Sequence, residues 1–351
     1  MGNDVISVLV VDDSVYNRRM LSEIIDQTGF AKVVAVARDG EEGLKKVFDL
    51  RPDLITLDLE MPHMDGFTFL RILMKSMPTP VVVVSSLAED RNVFKALELG
   101  ALDFVGKPDT KLSTIEQFQK DLIQKLAMTR HIRMRNIQRR ISQQVVTQLG
   151  IAPVVKPAEA VARKVELVAI GASTGGPSAI QSILSRFPAD LNAGIAVSQH
   201  MPSGFTKAFA ERLDRISKLT VKEAEPGDFM EKGKVLISPG GKNLILARQG
   251  SKVVARLEER AESDRYIPSV DKLFKSAAGV YGSRMMAVVL TGMGSDGKEG
   301  VLAVKRAGGF VIAESEKTSI VFGMPREAIE THQVDRVANL EEISGEILKF
   351  C

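Results

Sequence analysis

The first hundred residues alternate between two hydrophobic periods. Near-continuous apolar runs rich in Val and Ile stand at residues 7–11, 32–37, 54–57, 81–84 and 103–105. Between them apolar positions recur at helical spacing, as in Tyr16, Met20, Leu21, Ile24 and Ile25. Continuous apolar strands separated by amphipathic helices predict a parallel sheet covered on both faces. Residues 110–134 predict a last helix that runs outward. Residues 138–162 lose strong periodicity around Pro153 and Pro157, which predicts a linker.

The pattern restarts at Val165. Runs at 166–170, 194–198 and 286–290 predict strands, each followed by a polar loop and a helical segment. Between the second and third lie four more β-rich runs, at 219–224, 234–238, 243–247 and 253–257. The last two are joined by Arg248 to Lys252, a hairpin signal. The chain is therefore predicted to be α/β twice over. Residues 1–125 form a doubly wound parallel sheet, and 126–162 form a basic helical outrun and linker. Residues 163–351 form a second α/β domain, its sheet mostly parallel with an antiparallel excursion. No repeat of solenoid period is present.

Composition adds limits to this picture. A length of 351 residues exceeds one ordinary domain. Hydrophobic residues at 44% against 26% charged describe a soluble globular protein, and with 5% aromatics and no Trp its cores rest on Val, Leu, Ile and Met. The single cysteine, Cys351, excludes internal disulfides and a Cys-based zinc site, and fits a reducing cytoplasm. The N-terminal run lacks a basic flank and a cleavage-like site, and no apolar run approaches bilayer length, so neither secretion nor membrane insertion is expected. A net charge of +3 gives no argument for nucleic acid as a partner. The local run of Arg130, Arg133, Arg135, Arg139 and Arg140 reads as a solvated helical face, and no helix-turn-helix pattern accompanies it.

Chemistry gathers at strand ends. Asp12 and Asp13 follow the first strand, Asp58 the third, Ser85 the fourth and Lys107 the fifth. In a doubly wound sheet these ends share one rim, where ligands bind. Three clustered carboxylates repel one another and call for a hard cation such as Mg²⁺, which prefers oxygen ligands. Lys107 and the Ser85 hydroxyl can hold a phosphoryl group while Asp58 accepts it. The segments VLVVDDS, ITLDLEMPHMDG, VVVVSS and DFVGKP resemble, in order and spacing, the flavodoxin-like receiver domains of response regulators. That resemblance implies phosphorylation of Asp58 by a histidine kinase, Mg²⁺ held by Asp12, Asp13 and Asp58, and a switch through Ser85 and Phe104.

In the second half, residues 171–176 read GASTGG directly after a strand, satisfying G-x-S-x-G with Ser173 as the exposed hydroxyl. A dinucleotide fingerprint fails because Ser173 stands where its middle glycine belongs, and a Walker A loop fails for want of the Lys-Ser/Thr pair. A plain helix N-cap loop remains the competing reading of this short motif. A nucleophilic serine needs a base. Of four histidines, His63 lies in the receiver loop, His131 in the basic outrun and His332 among C-terminal helical residues. His200 follows a strand of the second domain, on the same rim as Ser173. Asp296 ends the glycine-rich loop after a third strand and can orient the imidazole, although capping the next helix is its alternative role. Thr174 and Met293 are candidate backbone donors to an oxyanion. The order Ser, His, Asp is not that of α/β-hydrolases.

IGASTGGP, SQHMPSGFTKAFAERLD, ISPGG, PSVDKLF, LTGMGSDG and VFGMPREAI together resemble the catalytic domain of chemotaxis protein-glutamate methylesterases, the CheB family. The resemblance implies Ser173 as nucleophile, His200 as base and Asp296 as orienting acid, with no cofactor in this domain. It also implies glutamyl methyl esters on the cytoplasmic helices of chemoreceptors as substrates, methanol as product, and glutamine deamidation as a second activity. Fusion to a receiver through a linker predicts a domain that covers the esterase rim until Asp58 is phosphorylated. Asn243, where the family often has His, and Ile267, where Arg is common, are expected near the substrate rim. The rival reading is a phospho-dependent receptor adaptor without catalysis, which has no need of a base or an oriented acid.

Overall fold

A computed structural model describes residues 5–86, 90–108, 115–140 and 164–351, the side chains of 90, 91, 130 and 131 excepted. The chain divides into two compact units, Met1–Gln148 and Leu149–Cys351.

In the first unit, strands β1 (Ile6–Val11), β3 (Leu54–Leu57), β4 (Val81–Ser85) and β5 (Asp103–Gly106) bury nearly every side chain. Strand β2 (Ala31–Ala37) alternates buried and open positions, because it lies at an edge. The order is β2-β1-β3-β4-β5, all parallel. Helices α1 (Val15–Asp26), α2 (Gly40–Leu50), α3 (Gly66–Ser76), α4 (Asp90–Glu98) and α5 (Ile115–Ala127) make the crossovers. Three start on short polar caps: Ser14, Asp39 and Asp65 accept the N–H groups of Asn17, Glu42 and Thr68. An ion pair from Lys125 to Asp103 fastens α5 to β5.

The outward helix expected over 110–134 is interrupted. A 3₁₀ turn (Met128–His131) follows α5, and helix resumes as α6 at residues 134–140. The arginine run is not uniformly solvated either, since Arg140 is buried. The expected start of that helix, most of the linker with Pro153 and Pro157, and the side chains of Arg130 and His131 lie outside the described residues.

The second unit contains β6 (Leu167–Ala172), α7 (Gly176–Leu184), β7 (Gly194–Gln199), α8 (Phe205–Ile216), β8 (Thr220–Glu223) and β9 (Lys234–Ile237). The hairpin of β10 (Lys242–Gln249) and β11 (Lys252–Glu259) follows. Next come α9 (Val270–Tyr281), β12 (Met285–Val289), α10 (Lys298–Arg306), β13 (Phe310–Glu314), α11 (Met324–Ile329), β14 (Arg336–Ala338) and α12 (Leu340–Leu348). The main sheet is parallel throughout, in the order β14-β13-β12-β6-β7-β9-β8.

The antiparallel excursion is narrower than the four β-rich runs suggest. Only β10 and β11 form it, while β8 and β9 extend the parallel sheet. The link between β8 and β9 runs along β11, through backbone bonds of Gly227 to Ala255 and Met230 to Val253. Helix α9 packs between β6, α10 and the hairpin, and α7 packs on α12 and α8. Phe274 of α9 is wholly buried among Leu167, Leu244 and Val289, a placement that contributes about 1.5–3 kcal/mol. Strand order reverses at β6, with β7 on one side and β12 on the other, so the crevice for a ligand opens at the carboxyl ends of these three.

Candidate active site

Ser173 and His200 are the first residues beyond β6 and β7. The parallel register pairs Ala172 with Gln199, so serine and histidine leave the sheet side by side. The His200 N–H donates to the Ala172 carbonyl at 3.0 Å, and the Ser173 N–H donates to Thr291 O beyond β12, also at 3.0 Å. Buried Gln199 clamps the two turns together: its Nε2 donates to the carbonyls of Ser173 (2.9 Å) and His200 (3.0 Å). Gly175, at φ 75°, turns the chain into α7, completing the strand-turn-helix context that G-x-S-x-G requires.

Asp296 lies in the loop after β12, and Oδ2 is 2.8 Å from His200 Nε2. The same oxygen accepts Val270 N–H, and Oδ1 accepts Ser269 Oγ–H and the N–H groups of Asp271 and Gly297. The carboxylate thus sits at the N-terminus of α9, where unpaired N–H groups and the helix dipole favour an anion. Burial alone would push this carboxyl up. The His200 bond and charge, with the Asp271 and Val270 N–H groups, outweigh burial and hold it below its ordinary value. Asp271 returns the arrangement: its Oδ1 accepts the N–H groups of Gly297 and Gly300 at the start of α10. Burial is the main cause that raises the Asp271 carboxyl.

Close approach of α9 depends on Gly171. A Cβ there would stand 2.2 Å from Val270 Cγ1. With Nε2 engaged by Asp296, Nδ1 is the ring nitrogen left to serve Ser173. Among the described residues no hydrogen bond joins Ser173 Oγ to His200, an open geometry common before substrate tightens a catalytic pair.

In the first unit, the carboxylates of Asp12, Asp13 and Asp58 have oxygens within 4.8 Å of one another. Asp12 and Asp58 are buried and Asp13 is exposed. Lys107 Nζ reaches Asp58 at 2.6 Å and Asp12 at 3.5 Å. Burial, with the charge of Asp12 added, pushes the Asp58 carboxyl up to about 6 although Lys107 opposes it. Such a carboxylate cluster fits a hard divalent cation. Ser85 is fully buried at the end of β4, and the Lys107 N–H donates to its carbonyl. Phe104 points inward, with its ring edge-on to Phe94 at 6.4 Å.

Comparison with known proteins assigns a family to each unit. The family model described as CheB methylesterase matches residues 168–347, and that of the response regulator receiver domain matches residues 8–118. A protein-glutamate methylesterase/protein-glutamine glutaminase of Geobacter sulfurreducens is 48% identical, over 99% of this chain and 97% of its own. One of Myxococcus xanthus is 48% identical over 97% of this chain and 95% of its own. The chain belongs to the CheB methylesterase family. The crystal structure of the Thermotoga maritima CheB methylesterase catalytic domain is 43% identical, covers 54% of this chain and all of that one, and superimposes with a TM-score of 0.52. As a CheB-family member joined to a receiver, the chain is a two-component chemotaxis hydrolase.

The two oxyanion candidates are each oriented by the carbonyl of the same peptide. The Ser173 carbonyl accepts Gln199 Nε2 and Gly176 N–H, so the Thr174 N–H of that trans peptide points the opposite way. The Gly292 carbonyl accepts the N–H groups of Gly323 and Met324, which likewise turns the Met293 N–H away from α11. Asn243 corrects expectation. It is fully buried rather than at the rim, accepting Ser269 N–H at 2.8 Å and donating to Asp264 at 3.1 Å. Ile267 is half-buried before the cis bond to Pro268. His332 lies past the end of α11 at φ 57°, in a turn and not within a helix.

Several supports were not read from the sequence. Ser269, Asp271 and Gln199 act through partners 26 to 29 residues away, which no local spacing reveals. Glu314, wholly buried at the end of β13, accepts the Thr291 N–H at 2.8 Å and thereby braces the loop that holds Ser173. A charged residue closing an apolar strand was the available signal for it.

Proposed function

We propose that this protein hydrolyses glutamyl methyl esters on the cytoplasmic helices of chemoreceptors, releasing methanol, and deamidates receptor glutamines at the same site. Ser173 Oγ attacks the side-chain carbonyl as His200 Nδ1 takes its proton. Asp296 holds the opposite ring nitrogen and balances the imidazolium charge. The Thr174 and Met293 N–H groups receive the tetrahedral oxyanion. His200 gives that proton to the departing ester oxygen, releasing methanol, or to the departing amide nitrogen, releasing ammonia, as the C–O or C–N bond breaks. A water molecule then gives its proton to His200 and its hydroxide to the acyl carbon, releasing the glutamyl carboxylate and restoring Ser173. The observation that carries this reading is Asp296 receiving four hydrogen bonds from Ser269, Val270, Asp271 and Gly297 while gripping the histidine beside Ser173. An adaptor has no use for so fixed an acid.

Asp58 accepts a phosphoryl group from a chemotaxis histidine kinase, and this activates the esterase in the cytoplasm. Asp12, Asp13 and Asp58 would hold Mg²⁺, which neutralises the clustered carboxylates and the incoming phosphoryl oxygens. Lys107 offers a second positive charge to the same oxygens, with Ser85 and Phe104 as the residues that switch. Methanol release from methylated chemoreceptor membranes, with and without a small-molecule phosphodonor and Mg²⁺, tests reaction and wiring together. Release that rises with the donor is expected. Release that never occurs returns the adaptor reading, and release indifferent to the donor removes the regulatory half.

A further inference from the structure

One aromatic residue beside the site has no part in the chemistry above. Tyr266 lies in the loop between β11 and α9, three residues before Ser269, the cap of that helix. Its ring stacks on the His200 imidazole, with centroids 5.0 Å apart and planes within 7° of parallel. Offset parallel stacking at this distance is an attractive arrangement. The phenol end reaches across Gly294 in the acid-bearing loop: a Cβ at Gly294 would lie 2.3 Å from the Tyr266 oxygen. Gly294 also has φ 92°, so its bare Cα serves both the turn and the passage of the ring. Tyr266 therefore spans from the histidine to the loop that carries Met293 and Asp296.

We propose that Tyr266 is a positioning residue for the esterase reaction, fixing the plane of the His200 ring and favouring its protonated form during turnover. This rests on the assignment of His200 as base. The hydrogen bond to Asp296 anchors Nε2 at one point and leaves the ring able to tilt about it. A flat surface against the ring face removes that tilt and so fixes where Nδ1 points. When His200 takes the serine proton, the electron-rich face of the phenol ring also meets a cation. Charged groups beside the stacked pair include Asp296 on His200 Nε2, Asp271 bonded to Asp296 through its N–H, and Arg265, whose guanidinium lies 5.5 Å from the phenol ring centre.

The test uses the full-length phosphodonor-activated protein on a methyl-esterified chemoreceptor fragment, comparing Tyr266→Phe, Tyr266→Leu and Ser173→Ala with the parent. Leucine keeps apolar cover over the imidazole but removes the aromatic face; phenylalanine keeps the face and loses only the hydroxyl. Tyr266→Leu should lower kcat about tenfold, equivalent to about 1.4 kcal/mol of barrier, with KM within twofold. It should also move the acid limb of the kcat/KM profile to lower pH. Tyr266→Phe should match the parent within about twofold in all three quantities. A Leu variant with unchanged kcat overturns the proposal. So does one that raises KM alone, which marks a substrate contact, or one whose acid limb stays in place while Phe fails to rescue, which marks a structural role. Ser173→Ala separates the two levels of inference: if it stays active, the base assignment itself has failed.

Discussion

Gly171→Ala is a methyl group added at a strand position two residues before Ser173, and on the proposed mechanism it should disable the enzyme through Asp296 rather than Ser173. The added Cβ would meet Val270 Cγ1 at 2.2 Å and Cγ2 at 2.9 Å. Carbon atoms in good contact lie about 3.5–4.0 Å apart, so Val270 must retreat by more than about 1 Å. Val270 is the first residue of α9, and its N–H holds Asp296 Oδ2 at 2.7 Å. A retreat of that size takes the bond past the usual limit of about 3.2 Å and moves the acid gripping His200. Misplacement by about 1 Å can cost on the order of 10²-fold in rate, and overpacking should remove about 1–3 kcal/mol of stability. Adding Val270→Ala should rescue much of both losses, because the nearest remaining atom is then Val270 Cβ at 3.1 Å, which needs a shift of only a few tenths of an ångström. The assay is methanol release with thermal denaturation, on both single variants and the double. Full activity in Gly171→Ala, or a double variant no faster than Gly171→Ala, would refute this coupling.

Further expectations concern single groups. Asp296→Asn must turn an amide donor toward N–H groups that now meet a carboxylate oxygen, so activity should fall on the order of 10³-fold or more, with about 1–3 kcal/mol of stability lost; a variant within tenfold of the parent would contradict the arrangement. Glu314→Leu should strand the buried Thr291 N–H at a cost of about 1–3 kcal/mol, while Glu314→Gln keeps an acceptor and should lie much nearer the parent in denaturant midpoint. Asp58 releases its proton at about 6 in the folded protein against an ordinary 3.8. The folded state therefore holds that proton more tightly, and the stability this adds is full below pH 4 and lost as pH rises through 6. The loss is at most about 3 kcal/mol. Receiver melting in chelator should fall over that window, and Asp58→Asn should flatten the fall; equal slopes for the two proteins would count against the cause given.

The placement of the proposed trio is legible because each member follows an apolar run that reads as a strand, and parallel α/β sheets gather strand ends at one rim. Ser173, His200 and Asp296 needed only that rule and their chemistry. What supports them was not legible, since Ser269, Asp271 and Asn243 owe their roles to partners on other elements. Asn243 shows the limit well. Its position, where the resembled family often has His, points to the rim, yet the fold turns its amide inward onto Ser269 and Asp264. Neither β13 nor β14 is among the strands read from the sequence; β14 is three residues long, with two exposed. The outward helix was overextended because its apolar spacing continues through the 3₁₀ turn at Met128–His131.

The central claim is that Ser173 is the nucleophile of a chemoreceptor methylesterase. The most direct measurement is the methanol-release rate of the folded, phosphodonor-activated Ser173→Ala protein beside the parent at equal concentration. A fall on the order of 10³-fold or more, with the melting temperature nearly unchanged, is the predicted result. A variant that retains most of its activity would contradict the account.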